Sequence, residues 1–451
     1  MSALEQSVPE GYKQTEVGVI PIDWESPELG NFIQSLDAGV SVNSIDKPDA
    51  FSHGLHILKT SCVSNGYFFP REVKSIIPED IVRAKTIVSK GSIIISRMNT
   101  PDLVGELGYI DKDYPNCFLP DRLWQMRFRA NLATNTRWLA YILSFPAIAK
   151  KIKESATGTS NSMKNISKGS LLSVSFPAPS YEEQTAIANA LSDVDALLTE
   201  LEKLIAKKQA IKTATMQQLL TGKTRLPQFA TFTEGEKQGQ PKDTKPSELG
   251  EIPEDWDVSS ISGKYVLATG TTPPTSNPKN YGEDFLFVSP ADLGEKKYIT
   301  RTEKRLSKTG YKLARKYPKG STLFTCIGST IGKTGLAKEE LSSNQQINAV
   351  FPNANSDAEF TYYALTYIAP KVKALAGQQA VPLVNKTEFG ETLFCLPCDI
   401  KEQTAIATIL SDMDNEIQIL EQRLAKTRQI KQGMMQELLT GRTRLPFKKE
   451  K

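Results

Sequence analysis

The chain has 451 residues, of which 39% are hydrophobic and 24% charged, and its formal net charge is +4. This is the balance of a folded globular protein with more than one domain, and it argues against a disordered chain. We find no apolar run of the ~18–20 residues that a membrane span needs, and no signal peptide at the N-terminus. The five cysteines are scattered, which argues against a disulfide framework and favours a reducing cytoplasm.

The charge is unevenly distributed along the chain. Residues 296–338 contain about twelve Lys or Arg against about one acid, and residues 121–168 contain about nine against two. Such stretches can line a phosphate-binding face, although lysine-rich surfaces exposed only to solvent would have the same composition. Because both stretches lie at related places in an internal repeat, we favour nucleic-acid binding.

The first element in chain order is a short motif that occurs twice. Residues 16–24 (EVGVIPIDW) align with residues 248–256 (ELGEIPEDW). A variable region follows each copy, over residues 26–180 and 258–398. Both regions alternate short β-branched runs with Gly, Pro and Asn, which is typical of strands and turns. The sequence therefore predicts two α+β domains of one fold.

Within these regions, matching elements differ at the loops that follow them. Matching strands are predicted at residues 91–96 and 320–325, and matching helices at 136–153 and 359–376. Arg, Asn, Gln, Lys, Ser and Thr at such loop tips suit contacts with base edges or phosphates. The alternative, ordinary polar loops in a diverged duplicate, stays open residue by residue. The candidate DNA-binding residues are Arg97, Asn99, Arg122, Thr159, Ser160 and Lys164 in the first domain, and Ser329, Thr330, Lys333, Gln345, Gln346, Gln378, Gln379 and Lys386 in the second.

A long helix is predicted after each variable region. Residues 183–227 and 402–446 align without a gap at an offset of 219, and about 26 of 45 positions are identical. Apolar residues alternate steps of four and three, which predicts a coiled-coil seam between the two copies, with packing of each helix on its own domain as the alternative. The seam residues are Ile187, Leu191, Val194, Leu198, Leu201 and Ile205 in the first copy, and Ile406, Leu410, Met413, Ile417, Leu420 and Leu424 in the second.

Two further motifs resemble known sites but lack essential parts. Residues 328–334 (GSTIGKT) are too short by one residue for a nucleotide phosphate loop, since Ile327 stands where that loop needs glycine. The pair Cys395 and Cys398 has metal-ligand spacing, but the two histidines, His53 and His56, lie in the other domain. We expect a buried structural thiol at Cys395, no metal site and no catalytic centre.

Together these features resemble the specificity subunit of a type I restriction-modification system. The resemblance covers almost the whole chain and is carried by residues 18–24 (GVIPIDW) with their repeat, by the EQ pairs at 183–184 and 402–403, by the LLTG helix ends, and by residues 326–335 (CIGSTIGKTG) and 344–349 (NQQINA). Residues 96–105 of the first domain depart from the family pattern, because they form a longer loop without the lysine.

The resemblance implies a non-catalytic subunit whose two target recognition domains each read one half of an asymmetric, bipartite DNA site. The helices would set the gap between half-sites and dock two methyltransferase subunits. S-adenosylmethionine, ATP and Mg would bind to those partners and to motor-nuclease subunits, with no cofactor in this chain. A single-chain restriction or methylation enzyme, or a coiled-coil scaffold without DNA binding, are the alternatives.

The expected architecture is two related α+β target recognition domains joined by two long helices that form an antiparallel coiled coil, with internal pseudo-two-fold symmetry. Recognition domain 1 would span residues 1–180 and the first spacer helix 181–226. Residues 227–246 would form a flexible linker, and residues 247–399 recognition domain 2. The second helix and the tail would occupy residues 400–451.

Overall fold

The computed structural model describes residues 8–131, 133–158, 162–377 and 381–446. The chain forms two compact units: unit 1 comprises residues 1–201 and 423–451, and unit 2 comprises residues 202–422. Each unit therefore contains one variable domain, the beginning of one long helix and the end of the other. This division differs from the linear order of domains predicted above, because the chain crosses between units within each long helix.

Unit 1 is built on fifteen short strands and three short helices among its described residues. The strands are β1 Tyr12–Thr15, β2 Gly18–Pro21, β3 Ile33–Ala38, β4 Ser44–Ile45, β5 His56–Leu58, β6 Val63–Ser64, β7 Tyr67–Phe68, β8 Val73–Ile76, β9 Ile87–Val88, β10 Ile93–Ser96, β11 Met98–Asn99, β12 Leu107–Tyr109, β13 Tyr114–Phe118, β14 Leu123–Phe128 and β15 Lys164–Asn165. The helices are α1 Thr136–Ser144, α2 Pro146–Glu154 and α3 Lys168–Leu172, and the first long helix is α4 Tyr181–Leu220.

Unit 2 repeats this plan with fewer strands. The strands are β16 Thr244–Ser247, β17 Gly250–Pro253, β18 Trp256–Ser260, β19 Leu267–Thr269, β20 Tyr281–Val288, β21 Tyr298–Ile299, β22 Lys304–Leu306, β23 Lys316–Tyr317, β24 Thr322–Thr325, β25 Thr334–Ala337, β26 Leu341–Ser343, β27 Ile347–Val350 and β28 Leu393–Pro397. The helices are α5 Ile261–Lys264, α6 Lys308–Leu313, α7 Ala358–Leu375 and α8 Lys386–Glu391, and the second long helix is α9 Ile400–Leu438.

The two variable domains share one topology. In unit 1 the main sheet has the order β12-β10-β14-β3, and in unit 2 the equivalent order is β25-β24-β27-β19, with β21 added at the edge. A second sheet has the order β4-β8-β5-β13-β9 in unit 1 and β22-β20-β26-β23 in unit 2. The predicted fold class, two related α+β domains with two long helices, is confirmed.

The predicted strands at residues 91–96 and 320–325 are the central strands β10 and β24. In β10, Ile93, Ile94 and Ile95 are all fully buried, because both faces of this strand are covered by apolar side chains. Such a continuous β-branched run is typical of a central strand, where neither face meets water.

The helices that follow the sheets differ from the prediction in one detail. The helix predicted at residues 136–153 is two helices, α1 and α2, with a break at Phe145–Pro146. Pro146 has no amide hydrogen to continue the ladder of α1, so it begins the new helix instead. In unit 2 the equivalent helix α7 is continuous over 18 residues, although it contains Pro370.

The two long helices predicted after the variable regions are present and contain 40 and 39 residues. Within unit 1 the start of α4 lies with the end of α9: Ile187 and Leu191 share a core with Leu438 and Leu439. Within unit 2 the reverse holds, since Leu219 and Leu220 share a core with Ile406 and Leu410. The pairing is therefore antiparallel in both units.

The seam residues are not equally buried. Eight of them are buried: Ile187, Leu191, Leu198, Leu201, Ile205, Ile406, Leu410 and Ile417. Val194, Met413, Leu420 and Leu424 are half-buried. The first turns of each helix also pack into the core of a variable domain, so both packing modes considered for the seam occur.

The segment 227–246, which the composition predicts to be a flexible linker, is held by specific contacts in unit 2. The Phe232 amide donates to the Gln240 carbonyl over 3.0 Å, and Lys242 forms a 2.7 Å ion pair with Asp255. Its last residues form β16, which pairs with β17. These are long-range and hairpin contacts that local composition does not encode.

Candidate nucleic-acid interface

Four candidate residues of unit 1 come together at one edge of the domain. Asn99 on β11 is the direct strand partner of Lys164 on β15. The Arg97 amide donates to the Arg122 carbonyl over 3.1 Å, and the Arg97 carbonyl accepts from the Ile166 amide over 2.9 Å. Residues from three separate stretches of sequence thus form one polar surface.

Arg97 is fixed in its orientation. Its Nε donates to the Asp121 carbonyl over 2.8 Å, and its guanidinium lies 5.4 Å from the ring centroid of the buried Trp124. Lys168 lies over the same ring, at 5.9 Å. Stacking on an aromatic ring and one backbone hydrogen bond restrain the planar guanidinium. No residue of the described ranges accepts a hydrogen bond from its terminal nitrogens, which suit bidentate recognition.

The other polar side chains of this edge are held less tightly. The Asn99 amide nitrogen donates to Ser96 over 3.2 Å, and Lys164 donates to the Gly158 carbonyl over 2.9 Å. Arg122 is exposed. Within the described ranges, a hydroxyl group thus holds the Asn99 side chain and a backbone carbonyl holds that of Lys164.

In unit 2 the equivalent edge is built by a turn that we call the glycine turn, residues 327–333. The Gly328 amide donates to the Pro382 carbonyl over 2.8 Å, and the Val384 amide to the Cys326 carbonyl over 2.9 Å. Gly328 and Gly332 have φ of +88° and +96°, which is the backbone region that favours glycine. The turn presents Ser329, Thr330 and Lys333 at the surface, with the first of them exposed.

The remaining described candidates of unit 2 lie beside this turn. Gln345 is exposed and accepts a hydrogen bond from Thr272, and Gln346 accepts one from Asn344 over 3.0 Å. The Cys326 amide donates to the Gln346 carbonyl over 2.9 Å, which joins the two loops. Lys386 is exposed at the first turn of α8. The candidates Thr159, Ser160, Gln378 and Gln379 lie outside the described residues.

Sequence reasoning missed an ionic cluster in which the opening motif meets a helix end. In unit 1 Arg444 forms ion pairs with Glu183 and Asp23, and Trp24 donates to Glu183 over 3.1 Å. Glu183 is only 1% exposed, so Arg444 is the partner of a buried carboxylate. Tyr12 adds a 3.1 Å hydrogen bond to the Gly441 carbonyl.

The same cluster recurs in unit 2 with residues from the other copy of each motif. Arg225 forms ion pairs with Glu402 over 2.7 Å and with Asp255 over 2.8 Å, and Trp256 donates to Glu402 over 3.2 Å. All four residue types are identical at the matching positions of the two repeats. That identity was a usable signal, but nothing in the local sequence indicates that the two motifs are in contact.

A second repeated cluster joins the long helices to a tyrosine of each domain. In unit 1 Asp195 on α4 forms a 2.7 Å ion pair with Lys431 on α9, and Tyr141 donates to the same carboxylate over 2.6 Å. In unit 2 Asp414 binds Lys212 and accepts a 2.6 Å hydrogen bond from Tyr363. Burial lowers the pKa of Lys431, which Asp195 partly offsets.

The buried thiols are unsuited to nucleophilic chemistry. Burial raises the pKa of Cys326 to about 12 and that of Cys395 to about 11, so both stay protonated near neutral pH. Cys395 is buried on β28, as expected, whereas Cys398 is exposed. Across the described ranges no cluster of three His, Cys, Asp or Glu has the arrangement of a metal site. None of the helices in those ranges is long and apolar enough to cross a membrane.

Comparisons of this chain with known proteins all point to one family. A family model described as the type I restriction modification DNA specificity domain matches residues 21–213 and again residues 253–429. The type I restriction enzyme MjaX specificity subunit of Methanocaldococcus jannaschii is 27% identical over 450 residues, which cover 97% of each chain. The HindI specificity subunit of Haemophilus influenzae is 23% identical over 93% of this chain and 99% of its own length.

A solved structure has the same fold. The S subunit of a type I restriction-modification system from M. genitalium superposes with a TM-score of 0.58 at 14% identity, covering 93% of this chain and 96% of that one. The two family-model matches together include most of both variable domains and both long helices. This chain therefore belongs to the family of type I restriction-modification DNA specificity subunits.

Proposed function

We propose that this chain is the non-catalytic DNA-recognition subunit of a type I restriction-modification complex and binds an asymmetric, bipartite site. Each variable domain reads one half-site, and the paired helices set the gap between the half-sites. The observation that supports the proposal most directly is that the two domains share one backbone topology but present different polar side chains on their loops. Arg97, Asn99 and Lys164 occupy the edge in unit 1, whereas Ser329, Gln345 and Gln346 occupy it in unit 2.

Because the loops of two similar domains present different polar side chains, we favour two different half-sites over a palindromic site. Arginine suits bidentate contact with guanine, and glutamine suits adenine. Lysine and hydroxyl side chains suit phosphates, which supply most of the affinity but little specificity. We infer that the two units contribute different bases to one target.

The partners in this proposal are double-stranded DNA, two methyltransferase subunits and motor-nuclease subunits. The long helices carry the most similar sequence of the two repeats, which supports docking of two copies of one partner on equivalent surfaces. S-adenosylmethionine, ATP and Mg would be bound by those partners. We place the complex in the cytoplasm, where chromosomal DNA is accessible.

The test is genome-wide profiling of methylated adenine in host cells with and without this gene. We expect one bipartite motif to disappear when the gene is deleted and to return on complementation. Complementation with an Arg97→Ala variant should alter one half of the motif and leave the other half intact. An unchanged methylome in the deletion strain would reject the proposal.

A further inference from the structure

The glycine turn of unit 2 forms one wall of a cleft of about 700 Å³. The loop at residues 294–297 and α7 also line the cleft, together with Lys212 and Asp414 of the two long helices. We call it the lysine cleft, because five of the side chains that line it are Lys212, Lys296, Lys297, Lys333 and Lys373, against the two acids Glu295 and Asp414.

Two of the five lysines are neutralised by neighbouring acids. Lys212 pairs with Asp414, and Lys297 pairs with Glu359 over 2.9 Å. Lys296, Lys333 and Lys373 have no ion pair with any residue of the described ranges. Like charges that share a cleft repel each other and raise the local concentration of anions. The lysine cleft is thus complementary to an anion.

Unit 1 provides an internal comparison at the position of Lys333. In unit 2 the Thr325 amide, at the end of β24, donates to the Lys333 carbonyl over 2.9 Å. In unit 1 the Ser96 amide, at the end of the matching strand β10, donates to the Glu106 carbonyl over 2.8 Å. Lys333 of unit 2 therefore occupies the backbone position that Glu106 occupies in unit 1.

The same comparison holds for Lys373. The Ala376 amide donates to the Lys373 carbonyl at the end of α7, and the Ala156 amide to the Lys153 carbonyl at the end of α2, both over 3.2 Å. In unit 1 these two positions form an ion pair, since Lys153 lies 2.7 Å from Glu106. In unit 2 both positions are lysine. One domain has a closed ion pair where the other has two lysines with no acidic partner in the described part of the chain.

We infer that the lysine cleft of unit 2 binds a phosphate of the DNA backbone and that the matching cleft of unit 1 does not. This inference rests on the proposed function. The cleft is open, and the glycine turn links it to the candidate reading loops through the bond between Gly328 and Pro382. Ser329 and Thr330 add hydroxyl donors to its rim. Hydroxyls, lysines and turn amides are the groups that contact backbone phosphates.

The experiment measures binding of the full chain, co-purified with its methyltransferase subunits, to a random-sequence DNA duplex over a range of NaCl concentrations. The test variant is Lys333→Glu, which recreates the Glu–Lys pair of unit 1 and should keep the fold. We expect about a tenfold or greater loss of affinity at low salt and a log–log salt slope reduced by about one to two. The matched control is Lys153→Gln in unit 1, which removes a lysine that Glu106 already neutralises and should leave the slope unchanged.

A gain-of-function variant completes the design. Glu106→Lys places two lysines in the cleft of unit 1 and should raise the salt slope by about one. Unchanged affinity and slope in Lys333→Glu, with an unchanged melting temperature, would overturn the inference. So would a loss of methyltransferase copurification with intact DNA binding, which would assign the cleft to an acidic protein surface. Absence of DNA binding by the wild-type complex would instead contradict the proposed function itself.

Discussion

Glu183 and Arg444 lie 261 residues apart in the chain, yet Arg444 Nη2 donates to Glu183 Oε2 over 2.6 Å inside unit 1. Their counterparts in unit 2 are Glu402 and Arg225, where Nη2 donates to Oε2 over 2.8 Å. In each unit the arginine follows the end of one long helix, and the glutamate lies in the first turn of the other. An arginine–glutamate pair of the same type therefore joins the end of one long helix to the start of the other in each unit.

The two pairs differ in exposure, which predicts a difference in stability. The Arg225 side chain is 12% exposed and that of Arg444 is 34% exposed, while both glutamates are almost fully buried. Arg225→Met leaves an uncompensated buried carboxylate and should cost about 3 kcal/mol in the free energy of unfolding. Arg444→Met should cost less, about 1–2 kcal/mol, because water reaches the arginine of that pair and can partly replace it. Urea denaturation of both variants measures the difference.

The control for this prediction is the double variant Arg225→Met/Glu402→Gln. Glutamine removes the buried charge and still offers an acceptor to Trp256, so most of the lost stability should return. Equal losses in the two single variants, or no recovery in the double variant, would contradict the role assigned to the ion pair.

The same cluster predicts a pH dependence. Burial alone would raise the pKa of Asp255, but hydrogen bonds from Arg225 and Lys242 outweigh it, and the net pKa lies below the usual 3.8. Because the pKa of Asp255 is lower in the folded state, the unfolded state binds a proton at a higher pH as the pH is lowered. This contribution to stability is therefore present above about pH 4 and is lost as the pH falls further. Wild type should therefore lose more stability than Asp255→Asn between about pH 5 and pH 2. Parallel curves from acid titration of thermal unfolding would exclude this role of Asp255.

The elements that the sequence predicted well depend on local pattern. The heptad spacing in 187–205 and 406–424 identifies both long helices, and the isoleucine run at 93–95 identifies a central strand. These patterns succeed because periodic burial is imposed on every turn of a helix or step of a strand. The break before Pro146 could also have been predicted from the sequence, since a proline after a helical run commonly begins a new helix.

The candidate site was harder to predict, because it depends on contacts between distant loops. Arg97 and Lys164 are brought together by pairing of β11 with β15, and nothing in either loop specifies the other. The contrast between Glu106 and Lys333 was also hidden, since the loops before them differ in length and only backbone hydrogen bonds align them. Long-range pairing of this kind is decided by tertiary packing rather than by local propensity.

Arg97 provides a test of base reading in the first domain. Arg97→Lys keeps the charge but loses the planar fork, so the preference for one base in that half-site should relax by about 1–3 kcal/mol while the salt slope stays the same. Binding selection from a randomised half-site library measures the preference. Arg71→Lys, at an exposed arginine of the same domain, is the matched control and should select the original site. An unchanged selected motif in Arg97→Lys would exclude direct reading by this side chain.

The helices provide a test of how the gap in the DNA site is set. Insertion of one heptad after Leu201 and one after Leu420 keeps the two repeats in matching register and lengthens the paired helices by about 10 Å. The preferred gap should grow by about three base pairs, given 3.4 Å per base pair. Insertion into one helix alone should instead destabilise the chain, because the antiparallel pairing loses its register. Selection of the original gap by the doubly inserted chain would contradict a spacing role.

Two equivalent glycines provide a test of whether the units act separately. Gly270 follows β19 and packs against a neighbouring loop, so that an added Cβ would lie 1.9 Å from the Asn344 carbonyl oxygen. Gly39 follows β3 in the same way, and an added Cβ there would lie 1.6 Å from the Leu119 carbonyl oxygen. Gly270→Ala must displace the loop that carries Gln345 and should abolish recognition of one half-site. Gly39→Ala should displace the backbone beside Arg122 and affect the other half-site. Binding selection with each variant measures both halves at once, and each variant serves as the other's control. Loss of the same half-site in both variants would show that the two edges do not read DNA independently.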